Sequence, residues 1–250
     1  MMRITDAELE SFPVHHGFRL RGTDMTRSET FTDAAFAFAV TLLVVSLEVP
    51  TAFEDLRRAM WGVPAFAASF AILMQFWAGH RRFSRRFGLE DSRTILLSCI
   101  LVFVILVYVF PLKFLMSGFQ IWATRMITGQ VPPGGVTINS IDQLRELFII
   151  YGIGFIIVSV LLAMMSHHAL KRGEDLRLNE LERFDTRADI ESWLLLAGVA
   201  AVSTLWAVFL PITRFALPGM AYALLGIVMP WHGVRYGKAR AARFGESASA

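Results

Sequence analysis

Six stretches of this chain are apolar over roughly the thickness of a bilayer: residues 31–49, 60–79, 94–115, 147–166, 190–210 and 215–231, the last being the shortest. A helix needs about 20 such residues to cross the hydrocarbon core. None of the runs alternates apolar and polar residues with a period of two, as the strands of a membrane barrel do, so helices are favoured. A helix also satisfies every backbone N–H and C=O within its own segment, which lipid demands. Composition agrees, at 55% hydrophobic and 18% charged residues, with a mean hydropathy of +0.52. Soluble domains carry more charge than this. The predicted fold class is all-α: a polytopic membrane protein with six transmembrane helices.

Orientation follows from the basic residues. Arg3, Arg19, Arg21 and Arg27 precede the first run, and Arg81, Arg82, Arg85, Arg86 and Arg93 follow the second. Lys171, Arg172, Arg177, Arg183 and Arg187 follow the fourth, and four more occupy the tail, leaving 6 of the 24 for the other side. The positive-inside rule then puts both termini in the cytoplasm. The pI near 9.3 therefore reports topology and contact with anionic lipid, and nucleic acid is not needed as a partner. The six tryptophans mostly sit near the ends of runs, where interfacial anchors belong. The first thirty residues lack the apolar core and cleavage site of a signal peptide. One cysteine, Cys99, excludes a disulfide framework and a thiolate zinc site. The domain reading is a cytoplasmic arm (1–25), a six-helix membrane body (26–235) and a basic cytoplasmic tail (236–250). Val131, Pro132, Pro133, Gly134 and Gly135 read as a turn in the long outer loop between the third and fourth runs.

The most distinctive local pattern opens the first run, where Arg27, Phe31, Thr32 and Asp33 precede an unbroken apolar stretch. A carboxylate at such a mouth costs on the order of 2.5 to 3.5 kcal/mol if it enters the bilayer, so it implies ion handling or a buried pair. The local alternative is a capping box, with Thr30 accepting from early backbone N–H groups and Asp33 answering the positive helix end. Wound as a helix, the run places Ala34, Phe38, Thr41, Val45 and Glu48 on one stripe, at spacings of four, three, four and three. That stripe suits helices arranged around a pore axis, with Glu48 at the outer mouth. Alternatively, Thr41 bonds back to its own helix and Glu48 snorkels at the interface.

The second run ends in Trp77, Ala78, Gly79 and His80, at the same depth as Arg27 and Asp33. From there, the Trp77 indole or His80 can bond the Thr32–Asp33 end, and Arg27 can pair with Asp33. Enzyme signatures are absent: there is no nucleophile elbow, zinc-protease motif or phosphate loop. The adjacent His167 and His168 point about 100° apart on a helix, which does not make a metal site. The cores of the last three runs carry almost no ionisable groups, which argues against a proton relay at the midplane.

Taken together, Arg27, Phe31, Thr32 and Asp33 followed by Ala34, Ala35 and Phe36 resemble the Arg-x-x-x-Phe-Ser-Asp signature of the transmembrane-protein-175 type of potassium channel, in its bacterial branch. Trp77 and His80 resemble that family's second-helix ending, and Phe110-Pro111 its third helix. The resemblance implies a potassium-permeable channel of the bacterial inner membrane, multi-pass and without cofactor or metal. It would be a homotetramer whose four first helices surround the pore. Phe38, Thr41 and Val45 would line the constriction, and Arg27, Phe31, Thr32, Asp33, Trp77 and His80 would form the network that holds the helix. Thr32 stands where the family has serine, and Phe38 where it has a smaller Leu or Ile. A secondary, proton-linked transporter and a non-conducting membrane scaffold are the rival readings.

Overall fold

The computed structural model of the protein describes residues 4–45, 51–130, 136, 138, 140–209 and 217–245. The predicted turn at 131–135 and Glu48 lie outside the described residues. The arm begins with α1 (Asp6–Ser11), started by a reciprocal capping box: Thr5 Oγ1 accepts from the Glu8 N–H, and the Glu8 carboxylate accepts from the Thr5 N–H at 2.8 Å. A hairpin follows, β1 (Val14–His15) against β2 (Phe18–Arg19). His16 and Gly17 turn between them at φ of 49° and 76°, the double left-handed geometry that suits a two-residue hairpin loop.

Helix α2 (Arg27–Val45) starts earlier than the Thr30–Asp33 capping box requires. Thr26 is the capping residue, its hydroxyl accepting from the Glu29 N–H at 3.1 Å, while Thr30 donates back to the Thr26 carbonyl at 3.0 Å. The Thr26 hydroxyl satisfies an orphan donor one turn sooner, which frees Asp33 for a tertiary partner.

Helices α3 (Phe53–Trp61) and α4 (Val63–Phe87) meet at Gly62 with a bend of 43°. Helix α4 ends at Gly88, whose φ of 55° closes it in the left-handed conformation. Then come α5 (Ser92–Thr128), α6 (Ile141–Lys171) and α7 (Glu180–Phe209). The sixth apolar run is divided into α8 (Leu217–Ala221), a 3-10 turn at Tyr222–Leu224 and α9 (Leu225–Phe244). Helices α5, α6 and α7 are each long and apolar enough to cross a membrane, and the bent pair α3–α4 makes a fourth if taken as one span. Helix α2 carries Arg27, Glu29 and Asp33 in its first two turns, and α9 runs on into the basic tail.

An aromatic cluster lies where α4, α5, α6 and α7 meet. Phe76 has Tyr108, Phe155 and Trp193 around it at centroid distances of 6.2, 5.3 and 6.3 Å, spacings at which ring pairs attract. Gly79 is small for this reason: a Cβ there would sit 2.3 Å from the Trp193 ring. At one end of the bundle, the arm, the α6–α7 connection and α9 are tied together by charge. Buried Arg21 reaches buried Glu182 at 2.8 Å and the Leu176 carbonyl at 2.8 Å. Asp185 takes Arg240 at 3.1 Å and the Tyr236 hydroxyl, and Asp189 takes Arg86. The arm is thus part of the folded body, with Phe18 buried against Phe87 at 5.7 Å.

Asp91 begins α5 and also holds the end of α6. Its carboxylate accepts from the Thr94 N–H at 2.9 Å and hydroxyl at 2.7 Å, and lies 2.6 Å from His168 Nε2. Burial opposes its charge, but the Thr94 bonds and His168 outweigh this and hold the carboxyl at about 2. A carboxyl depressed in the folded state contributes stability above its ordinary value of 3.8 and loses it as pH falls towards about 2. Thermal unfolding of the solubilised protein is expected to show that acid loss, and Asp91→Asn is expected to lower the melting temperature at neutral pH and to flatten the pH dependence below 4.

Candidate functional site

Helix α2 has two apolar faces with different surroundings. Thr32, Phe36, Ala39 and Leu43, at spacings of four, three and four, are buried against the body of the chain. Phe31, Ala34, Phe38 and Thr41 are exposed on the other side, with Phe38 56% exposed. The stripe expected to line a pore therefore points away from its own bundle. Val45 ends α2, and its side chain lies outside what the structure describes. The Thr41 hydroxyl donates to the Ala37 carbonyl at 3.0 Å, as the local alternative expects. This spends its proton on the backbone and leaves its oxygen lone pairs as acceptors, the form in which a hydroxyl meets a cation.

The N-terminal end of α2 is held by side chains of α4. The Trp77 indole N–H donates to Asp33 Oδ1 at 2.8 Å, and the Arg81 guanidinium covers the Trp77 ring at 5.3 Å. Asp33 thereby becomes an acceptor for a neighbouring helix. Thr32 is fully buried and its hydroxyl donates to the Ser28 carbonyl at 3.0 Å. His80, also buried, turns to α5, its Nε2 sharing a hydrogen bond with Ser98 Oγ at 3.1 Å. Its other nitrogen, Nδ1, has no partner among the described residues, and the residue lines a small polar pocket with Thr26, Ser28, Glu29, Ser84 and Ser98. Arg27 is exposed, and no ion pair to it is found among the described residues. Phe31 is exposed on the same face as Phe38. Of the six network residues, then, Thr32, Asp33, Trp77 and His80 are gathered at the α2–α4–α5 junction, and Arg27 and Phe31 stand outside it.

Two features of the site escape the sequence reading. The buried stripe of α2 is one; the other is Lys113, a half-buried lysine of α5 whose Nζ donates to the Leu43 carbonyl at 2.8 Å. Its signal in the sequence is a single charge inside an apolar run. Among the described residues no group of three or more His, Cys, Asp or Glu could hold a metal ion, and His168 is occupied by Asp91.

Comparison with known proteins bears on the same helices. A family model described as the endosomal/lysosomal potassium channel TMEM175 matches residues 27–111. A curated protein of Marivirga tractuosa named as a potassium channel is 38% identical over 218 residues, which are 85% of this chain and 87% of that protein. The crystal structure of a variant of the potassium channel MtTMEM175, in complex with a nanobody–MBP fusion protein, is similar with a TM-score of 0.78 at 35% identity. It covers 90% of this chain and 99% of the other. A homologue of the lysosomal potassium-selective channel TMEM175 from Chamaesiphon minutus has a TM-score of 0.53 at 19% identity, covering 84% and 96%; at that identity the likeness is one of fold.

Replacing Trp77 by Phe keeps a ring beneath Arg81 but deletes the donor to Asp33. The expected loss is about 1 to 3 kcal/mol, the cost of leaving a polar group unpaired, read as a lower melting temperature of the solubilised protein.

Proposed function

The chain belongs to the TMEM175 potassium-channel family, and from that membership we propose that it is a passive potassium-permeable channel of the bacterial inner membrane. Four copies assemble with their α2 helices around a central axis. Helices α2, α3–α4, α5, α6, α7 and α8–α9 supply six spans, and both termini are cytoplasmic, in keeping with the positive-inside rule.

The observation that carries this reading is the outward direction of Phe31, Ala34, Phe38 and Thr41. A single stripe encloses nothing by itself, and closed rotational symmetry is the ordinary way for identical copies to enclose a path. In such a ring, four Phe38 side chains form an apolar constriction that gates by excluding water. Thr41, one turn further along, offers hydroxyl oxygens to an ion that has lost part of its hydration. By its spacing along the stripe, Val45 is proposed as a second narrowing. Asp33, occupied by Trp77, does not coordinate the permeating ion; with Thr32 and His80 it fixes the helix that carries the constriction.

A potassium gradient across proteoliposomes, with a sodium gradient in parallel, tests the proposal. The wild-type protein is expected to pass potassium in preference to sodium, without saturation. If the Phe38 ring contributes about 1.4 kcal/mol of the barrier, Phe38→Ala raises the flux about tenfold. Saturable exchange would instead indicate a carrier, and detergent-resistant tetramers silent in both forms would indicate a scaffold.

A further inference from the structure

Lys113 is the one charged residue of α5 between Arg93 and Arg125. A cation within a membrane-spanning stretch is costly unless it has a partner and a role. Its Nζ donates to the Leu43 carbonyl, 2.8 Å away, in the last described turn of α2. Leu43 is fully buried on the inner stripe with Phe36 and Ala39. Thr41 precedes it by two residues, which is about 200° around the helix and about 3 Å along it. The backbone that Lys113 grips therefore lies diametrically across α2 from the hydroxyl on the outward stripe. At the other end, Asp33 is held by Trp77 at 2.8 Å. Those two bonds, one from α4 and one from α5, fix both the tilt of α2 and its rotation about its own axis.

We propose that Lys113 is a positioning residue for ion selection: by holding the Leu43 carbonyl against α5 it aims Thr41 at the conduction path. The proposal rests on the channel reading of the α2 face. Lys113 does not touch the ion; it sets the angle at which the groups that do so are presented. An arginine at the same position keeps both the cation and the donor, whereas methionine keeps only an apolar stem of similar length.

The test compares wild type, Lys113→Met and Lys113→Arg in a Cys99→Ser background, since Cys99 is an exposed free thiol. Two quantities are read: the potassium-to-sodium permeability ratio from reversal potentials in planar bilayers, and the mobility of a nitroxide at Val44→Cys. Lys113→Met is expected to lower the ratio by about two- to thirtyfold, the range for residues that act on a site without touching its ligand, and to raise the label's mobility. Lys113→Arg is expected to restore both. A Lys113→Met protein that conducts with an unchanged ratio overturns the proposal while leaving the channel reading intact. If the wild type carries no current, the channel reading fails instead, and the label still decides whether Lys113 holds α2, an unchanged mobility overturning it. Should Lys113→Met not fold, Lys113→Gln is judged on the same two readouts.

Discussion

The burial of one face of α2 against α4 and α5 is the constraint from which the rest of the arrangement follows. In lipid, two apolar faces of a helix are equivalent to the solvent, so hydrophobicity cannot choose between them. Side-chain packing and a few hydrogen bonds make the choice. Thr32, Phe36, Ala39 and Leu43 fit the groove of the body, and the Trp77–Asp33 bond locks that register at one end. Once these are committed inward, Phe31, Ala34, Phe38 and Thr41 have nowhere to go but out. The chain thus leaves one apolar face of α2 uncovered, with the Thr41 hydroxyl on it.

Much of the fold was legible because the membrane imposes a simple rule: apolar length becomes helix. The second to fifth runs fall largely within α3–α4, α5, α6 and α7, but the second is broken at Gly62 and α5 continues past its run to Thr128. The readings that moved did so where local chemistry competes with hydropathy. Thr26 captured the cap that Thr30 was expected to supply, since a hydroxyl three residues ahead of Glu29 serves the first orphan N–H groups equally well. The sixth run breaks at the 3-10 turn Tyr222–Leu224, between α8 and α9. The arm reads as a polar leader, yet it folds onto the body through Arg21 and Glu182, residues 161 apart in the chain. No pattern in the sequence joins two such distant charges, because the pairing exists only once the α6–α7 connection has brought Glu182 beneath the arm.

The candidate site was legible in a different way. The spacing of Phe38, Thr41 and Val45 follows from helical geometry, and the identity of Asp33 and Trp77 from the family signature. The direction of the stripe was not legible, since Phe36 and Phe38 are the same residue type and only the tertiary packing distinguishes buried from exposed. His80 illustrates the same limit. Its depth suggested the end of α2, but the ring meets Ser98 of α5, because a side chain's azimuth on α4 depends on crossing angles that hydropathy does not encode. Lys113 escaped the reading: its signal is one charge inside an apolar run, and its partner, a backbone carbonyl, carries no sequence signal at all.

Helix α2 contains no glycine or proline between Arg27 and Val45, the residues at which sharp bends usually arise. It therefore behaves as a rod over its described length. Its N-terminal end adjoins a polar network: the Thr26 cap, the Trp77–Asp33 bond and the arm, where the Gly22 N–H donates to the Arg85 carbonyl at 3.1 Å. A rod fixed at its base changes the width of an enclosed path in only two ways, by tilting or turning as a unit or by changing rotamers on the exposed stripe. The first requires the Leu43 carbonyl to move relative to α5; the second requires only the Phe38 ring to swing. These have different signatures, since a rigid turn displaces Phe38 and Thr41 together, whereas a rotamer change moves the apolar barrier and leaves the hydroxyl layer in place. In the proposed channel, water exclusion at Phe38 and ion preference at Thr41 are separable functions of one helix, coupled only through its rotation.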